Sequence, residues 1–341
     1  MVKKYLRVLI SITIAVLFLW LALKDISYVD IRLTMNRLTY HWLVPFIAVS
    51  LFSHYLRAER WKQLMEQNGT NTSRVTLFSG VMLGYLVNYA VPRLGEVTRS
   101  VYVGNKEQIS RSKLMGTVLL ERALDLFVML AIVIFIFIYL ITDFRIIVSL
   151  LGVNPVKWMQ TLLSLDGMLF MGLVLSIILL VLYLLYQLML MLGRWIPSIY
   201  RLMNLTNDIF NNFIQGLLSI RAVKNWPLFL LLTAGIWFCY VLMTYIPFTA
   251  FDMHVDYGLG MREALIITMV SALGMSLPSP GGIGTYHLFV SRALVLFFAV
   301  PEAVGISYTI VTHLVMMIII LIFTPIILAV NRSASKVDQH T

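Results

Sequence analysis

Two charged motifs stand where charge is costly. Glu121-Arg122-Ala123-Leu124-Asp125 lies inside a long apolar run, and Pro92-Arg93-Leu94-Gly95-Glu96-Val97-Thr98-Arg99 closes another. An ionisable group in hydrocarbon costs a few kcal/mol unless it is paired or hydrated. Helical spacing puts Glu121 and Asp125 on one face, and Arg122, three residues before Asp125, can pair with it. The guanidinium forks of Arg93 and Arg99 suit phosphate, and Glu96 can orient one of them. Pro92 and Gly95 break the helix, leaving backbone groups unpaired, a state tolerated only beside protein or a water-filled cavity. These residues could form a polar path for a charged headgroup. A structural ion pair or a wet cluster at the membrane edge is the plainer alternative.

A second break runs from Pro278 through Pro280, Gly281, Gly282 and Gly284 to Tyr286 and His287. It superficially resembles a phosphate-binding glycine loop. No Lys-Ser/Thr follows and no βαβ context exists, so a tight turn between half-helices is expected instead. His287, Arg292 and His313 are the polar groups of this half, and Asn88, Ser271 and Ser276 would line the same cavity. A lone intramembrane histidine is more often a hydrogen-bonded packing residue than a proton carrier. The sequence has no HExxH, Gly-x-Ser-x-Gly, Walker motif or Cys/His metal spacing. Cys239 is the single cysteine, so no intrachain disulfide forms. No metal, cofactor or enzymatic activity is expected.

The elements that position these groups must lie in a membrane. Of 341 residues, 60% are hydrophobic and 12% charged, against about 25% charged in a soluble domain. The net charge of +10 would suggest nucleic acid on a soluble protein. Here it is read as positive-inside loops facing an anionic leaflet, and no nucleic-acid partner is expected. Apolar segments cover residues 8–23, 42–56, 75–91, 114–141, 168–192, 227–251, 264–277, 286–300 and 306–330. Those at 75–91, 264–277 and 286–300 are short for a crossing and border the two breaks, which predicts re-entrant hairpins. The second arm of the first hairpin, residues 97–104, is short and polar. No small-x-small cleavage site follows the first segment, so a retained anchor over 1–24 is expected.

With the N-terminus cytoplasmic and both hairpins returning to the side they left, the loop charges sort clearly. Eighteen of the 26 Lys and Arg residues fall inside, Arg57, Arg60 and Lys62 among them, against six outside. The fold expected is all-α and polytopic: six full transmembrane helices plus two re-entrant helical hairpins. A shift of 186 residues lays Val91-Pro92-x-x-Gly95 on Leu277-Pro278-x-x-Gly281 and aligns the flanking crossings. Each half, 38–141 and 227–330, then reads crossing, hairpin, crossing, an inverted repeat of the kind that places transporter sites near the midplane. Residues 168–192 form an additional crossing. Residues 199–224 form an amphipathic cytoplasmic linker, and 331–341 a polar tail.

Pro92-x-x-Gly95-Glu96-x-x-Arg99, Glu121-Arg122-x-x-Asp125 and Pro278-x-Pro280-Gly281-Gly282-x-Gly284, in this order, resemble the lysylphosphatidylglycerol synthase transmembrane-domain family of flippase-like proteins. The resemblance spans roughly residues 5–330. It implies movement of a phospholipid or lipid-linked headgroup between leaflets of a prokaryotic cytoplasmic membrane, with both termini cytoplasmic. Well-known members also carry a soluble aminoacyltransferase domain. This sequence ends at Thr341, so it is expected to move such a lipid and not to make it. Many relatives carry an acidic residue where His287 stands. On this reading Arg93, Arg99 and Arg122 attract the phosphate, while Glu96, Glu121 and Asp125 pair with them or with a cationic headgroup. A non-transporting lipid-binding accessory subunit is the alternative, and an intramembrane lipid-modifying enzyme a third reading. A homodimer or a partner membrane enzyme is left open.

Overall fold

The computed structural model describes residues 40–65, 72–139, 218–277 and 279–337, with isolated positions elsewhere. The expected anchor over 1–24, the crossing at 168–192, most of the amphipathic linker and Pro278 lie outside the described residues. Two compact units are distinguished, one of residues 1–126 and 213–341, the other of 127–212.

All regular structure among the described residues is helical. In the first unit α1 spans Leu43–Met65, α2 Arg74–Ala90 and α3 Leu94–Glu107, and α4, Arg111–Tyr139, runs on into the second unit. After a 3-10 segment at Leu218–Ala222 come α5 (Trp226–Ala250), α6 (Met261–Ser276), α7 (Thr285–Phe298) and α8 (Glu302–Val337). Among the described residues three stretches are long and apolar enough to cross a membrane: Trp226–Ala250, Pro280–Phe298 and Glu302–Arg332. The middle one includes the 3-10 turn Pro280–Gly282. Its continuous helix, α7, has 14 residues, about 21 Å at 1.5 Å each.

Local chemistry explains the boundaries. Ser73 caps α2 by accepting from the Thr76 amide, and Asn225 caps α5 by accepting from the Leu228 amide at 3.0 Å. A residue before proline is pushed out of the helical region. Val91, ahead of Pro92, is accordingly extended (φ −139°), and Leu277 ends α6 in an extended conformation ahead of Pro278. Arg93 then takes a left-handed φ of 62° and turns the chain into α3.

Small residues let the arms of each hairpin close. A Cβ at Gly95 would lie 2.7 Å from the Asn88 side chain and nearer still to the Gly84 carbonyl. Gly274 lets α6 approach α7 less tightly, a Cβ there lying 3.2 Å from the Thr285 carbonyl. Trp61, Leu64, Leu77, Val81, Val103 and Leu114 pack between α1 and α4. Phe248, Ile267, Val290, Leu294 and Tyr308 form a second core among α5–α8, and Trp42, just before α1, and Phe46 of α1 meet Ala250 and Ile319 in a third.

Four expectations are corrected. Arg57, Arg60 and Lys62 are not loop charges. No breaker follows Leu56, so α1 continues to Met65 with all three buried. The short arm expected at 97–104 is a 14-residue helix. The polar tail begins late: α8 runs to Val337, because Asn331 is buried and donates to the Tyr102 hydroxyl at 2.8 Å. In the linker, Leu218–Ala222 is a 3-10 segment and not α-helix.

Candidate functional site

Glu121 on α4 is completely buried and stands at the centre of a charged group. Its Oε1 accepts from Arg57 Nη1 at 2.9 Å and from Arg60 Nη2 at 3.3 Å, and its Oε2 accepts from Arg99 Nη2 at 2.5 Å. One turn on, Asp125 Oδ2 accepts from Arg57 Nη2 at 3.1 Å. Its Oδ1 lies 2.7 Å from Arg60 Nη2, close enough for an ion pair but off line for a hydrogen bond. Arg57 Nη2 also donates to the Tyr240 hydroxyl of α5 at 2.5 Å, and the Arg99 guanidinium lies 4.6 Å from the Trp61 ring.

Three guanidiniums therefore share two carboxylates, an excess of one positive charge within this cluster of described residues. Arg57 Nε, Arg99 Nε, and both Nε and Nη1 of Arg60 are buried without a hydrogen-bond partner among the described residues. Buried donors are ordinarily satisfied, and an uncompensated buried charge is unfavourable.

The pairing departs from that expected along the sequence. Arg122 does not pair with Asp125; its Nη2 reaches across to Glu96 Oε1 at 2.8 Å, at the half-exposed rim of the cluster. Glu96 accordingly orients neither Arg93 nor Arg99. The reason is facing: Asp125 is turned to α1, whose arginines already occupy it. Asn88 Oδ1 accepts from the Gly95 amide at 2.7 Å and locks the first hairpin.

The two breaks meet. Arg93 Nη2 donates to the Ser276 carbonyl at 3.3 Å, and the Tyr89 ring covers Gly281 so closely that a Cβ there would collide with it. Behind this junction His287 and His313 stack with ring centroids 5.0 Å apart. Tyr286 lies 5.4 Å and Tyr89 6.0 Å from the His313 ring. Arg292 is drawn away to Glu302 at 2.5 Å. A polar strip joins the two centres: His54, one turn before Arg57, packs 4.4 Å from the Tyr85 ring, and Tyr85 sits one turn before Tyr89.

Reasoning from sequence missed Arg57, Arg60, Tyr85, Tyr89 and Tyr240. The usable signal was the continuation of apolar spacing past Leu56, through Trp61 and Leu64, which places Arg57 and Arg60 inside a helix. Among the described residues no group of three His, Cys, Asp or Glu side chains could hold a metal ion.

Apolar helices of membrane length, broken at proline and glycine around buried charge, define a multi-pass membrane protein. Residues 8–323 match the lysylphosphatidylglycerol synthase transmembrane region, and the chain belongs to that family. It is 24% identical to UPF0104 membrane protein PH1989 of Pyrococcus horikoshii over 92% of both chains. No solved structure matches it.

Proposed function

We propose that this protein carries the phosphate-bearing headgroup of a phospholipid or lipid-linked substrate between the leaflets of a prokaryotic cytoplasmic membrane. The observation that carries the reading is the buried excess of one guanidinium, with N–H groups of Arg57, Arg60 and Arg99 left unpartnered. An anion would satisfy both deficits at once, and planar guanidinium forks bind phosphate oxygens in pairs. Charges held inside a membrane protein characteristically mark a substrate route. Arg93 and Arg122, at the junction and the rim, are the more exposed cations where a headgroup would enter. The strip of His54, Tyr85 and Tyr89 supplies polar groups between the cluster and the junction.

The arrangement in the membrane follows from the same reading. The α2–α3 and α6–α7 hairpins enter from opposite sides, the termini are cytoplasmic, and the two halves form an inverted repeat. Moving α2 by 186 residues lands it on α6 to within one residue at either end, which supports this plan. The lipid chains stay in the bilayer while the headgroup crosses.

The test is reconstitution into vesicles carrying a headgroup-labelled phospholipid, with bound lipids identified by mass spectrometry in parallel. Wild type is expected to retain one phosphate-bearing headgroup class and to move it, and Arg60→Met to lose both properties. Translocation at the wild-type rate in Arg60→Met, or none in wild type across phospholipid headgroups, overturns the proposal.

A further inference from the structure

We infer that the His287–His313 pair is a proton-binding site whose occupancy opens the junction of the two helix breaks, so that translocation is coupled to protons. The coupling rests on the function proposed above; the proton site does not.

His287 Nδ1 accepts a hydrogen bond from the Gly284 amide at 3.3 Å, so its lone pair holds the residue that begins α7. Gly284, at a φ of 82° that glycine tolerates, is the N-cap of α7, and the His287 side chain is what caps its amide. A neutral imidazole has one lone pair and an imidazolium has none. A proton from the aqueous phase and the Gly284 N–H therefore compete for the same electrons. Adding the proton to Nδ1 breaks no covalent bond; it only frees the amide.

His313 limits the uptake to one proton. Its ring is stacked on that of His287, and its Nε2 is buried with no partner among the described residues. Two positive charges so close, without a counter-ion, exclude each other. The titratable groups facing the pair are phenols: Tyr89 from α2 and Tyr286 from α7, the latter hydrogen-bonded to Thr312 at 2.9 Å. Tyr308 on α8 donates instead to the Thr244 carbonyl at 2.9 Å. The titratable residues of α6, Arg262 and Glu263, stand in its first turn, at the end away from the break. Arg292 is paired with Glu302, and Arg93 with the Ser276 carbonyl. Neither ring has a carboxylate partner among the described residues.

The proton is taken up only as Gly284 lets go and water enters, so protonation and opening are one linked equilibrium. Tyr89 carries the change to the first hairpin, since the same ring packs on His313 and covers Gly281.

Spin labels at Leu94→Cys and Leu273→Cys, both exposed beside the junction, in a Cys239→Ser background would report its opening in proteoliposomes. Between pH 8 and pH 5.5 the ratio of long to short label separations is expected to rise, by at most about tenfold per pH unit for one proton. His287→Asn keeps an acceptor for Gly284 but cannot titrate, and should hold the short separation at both pH values. His313→Gln, as a second variant, should raise the pH at which opening occurs, by removing the competing ring. Histidine 15N spectra of the unlabelled protein should show a single proton shared by the pair. A pH-independent separation in wild type, or an unchanged pH response in His287→Asn, overturns the inference. If labelled phospholipid moves at a rate indifferent to pH and to His287→Asn, the coupling is wrong and the proposed function stands. Opening that depends on His287 without lipid movement keeps the proton site and removes the transport reading.

Discussion

Replacing Glu121 with Gln is the sharpest test of the charge count. The substitution keeps the shape but turns three guanidiniums against two carboxylates into three against one. It weakens three charge-assisted bonds, at 2.9, 3.3 and 2.5 Å, and points an NH2 group at a guanidinium. Removing one partner of a buried ion pair costs about 3–5 kcal/mol, chiefly because the other charge is left uncompensated. Arg60→Met acts in the opposite sense. It leaves two guanidiniums facing two carboxylates, gives up the 3.3 Å hydrogen bond to Glu121 and the 2.7 Å ion pair with Asp125, and removes two nitrogens, Nε and Nη1, that have no partner among the described residues. Its cost should be under about 1 kcal/mol, since a buried donor left unsatisfied is itself worth about 1–3 kcal/mol against the fold. The gap of at least about 2 kcal/mol corresponds to more than tenfold in the unfolding equilibrium. Unfolding both variants with a denaturing detergent in mild micelles measures it. Equal destabilisation, or a larger loss in Arg60→Met, would refute the idea that the cluster holds a surplus cation.

Other variants probe the scaffold. Gly95→Ala drives a methyl group against the Gly84 carbonyl and Asn88, and should destabilise by about 1–3 kcal/mol in the same titration. Asn331→Ala loses its bonds to Tyr102 and Thr76 and should cost about 1–3 kcal/mol, whereas an unstructured tail would show no effect. Arg93→Gly relieves a left-handed φ of 62° and gives up one exposed bond to Ser276; unfolding should show no net loss of stability. Tyr240→Phe removes the hydroxyl that holds Arg57 and should cost about 1.5–3 kcal/mol, read again in the detergent titration.

The helices of the described segments were legible because apolar run length and Pro/Gly punctuation are local properties. Pro92 and Pro278 mark both turns before any coordinates are seen, and Glu121, Arg99 and Asp125 were identified by the expense of burying them. Their partners were not. Arg57 lies 64 residues from Glu121, and only tertiary packing reveals that α1 carries it inward and not out to solvent. A charge bias over loops misleads here, since it assigns every arginine beyond an apolar run to water. His287 and His313 were each visible as a lone polar group. That they stack depends on how α7 crosses α8, which neither sequence segment encodes alone.

Burying Arg57 and Arg60 in α1 has a consequence for how the chain is made. The part of α1 that precedes its first charge, residues 43–56, falls short of the ~20 residues that hold a helix stably across a bilayer. The rest of the helix brings in arginines whose carboxylate partners on α4 are synthesised some sixty residues later. During synthesis α1 must therefore wait, either partly outside the lipid or sheltered at the insertion machinery, until α4 emerges and neutralises it. Biogenesis of this half is thus post-dated: α1 is threaded early but seated only when Glu121 arrives. A nascent chain arrested before residue 121 should leave the end of α1 accessible to aqueous thiol reagents, and one released beyond α4 should not.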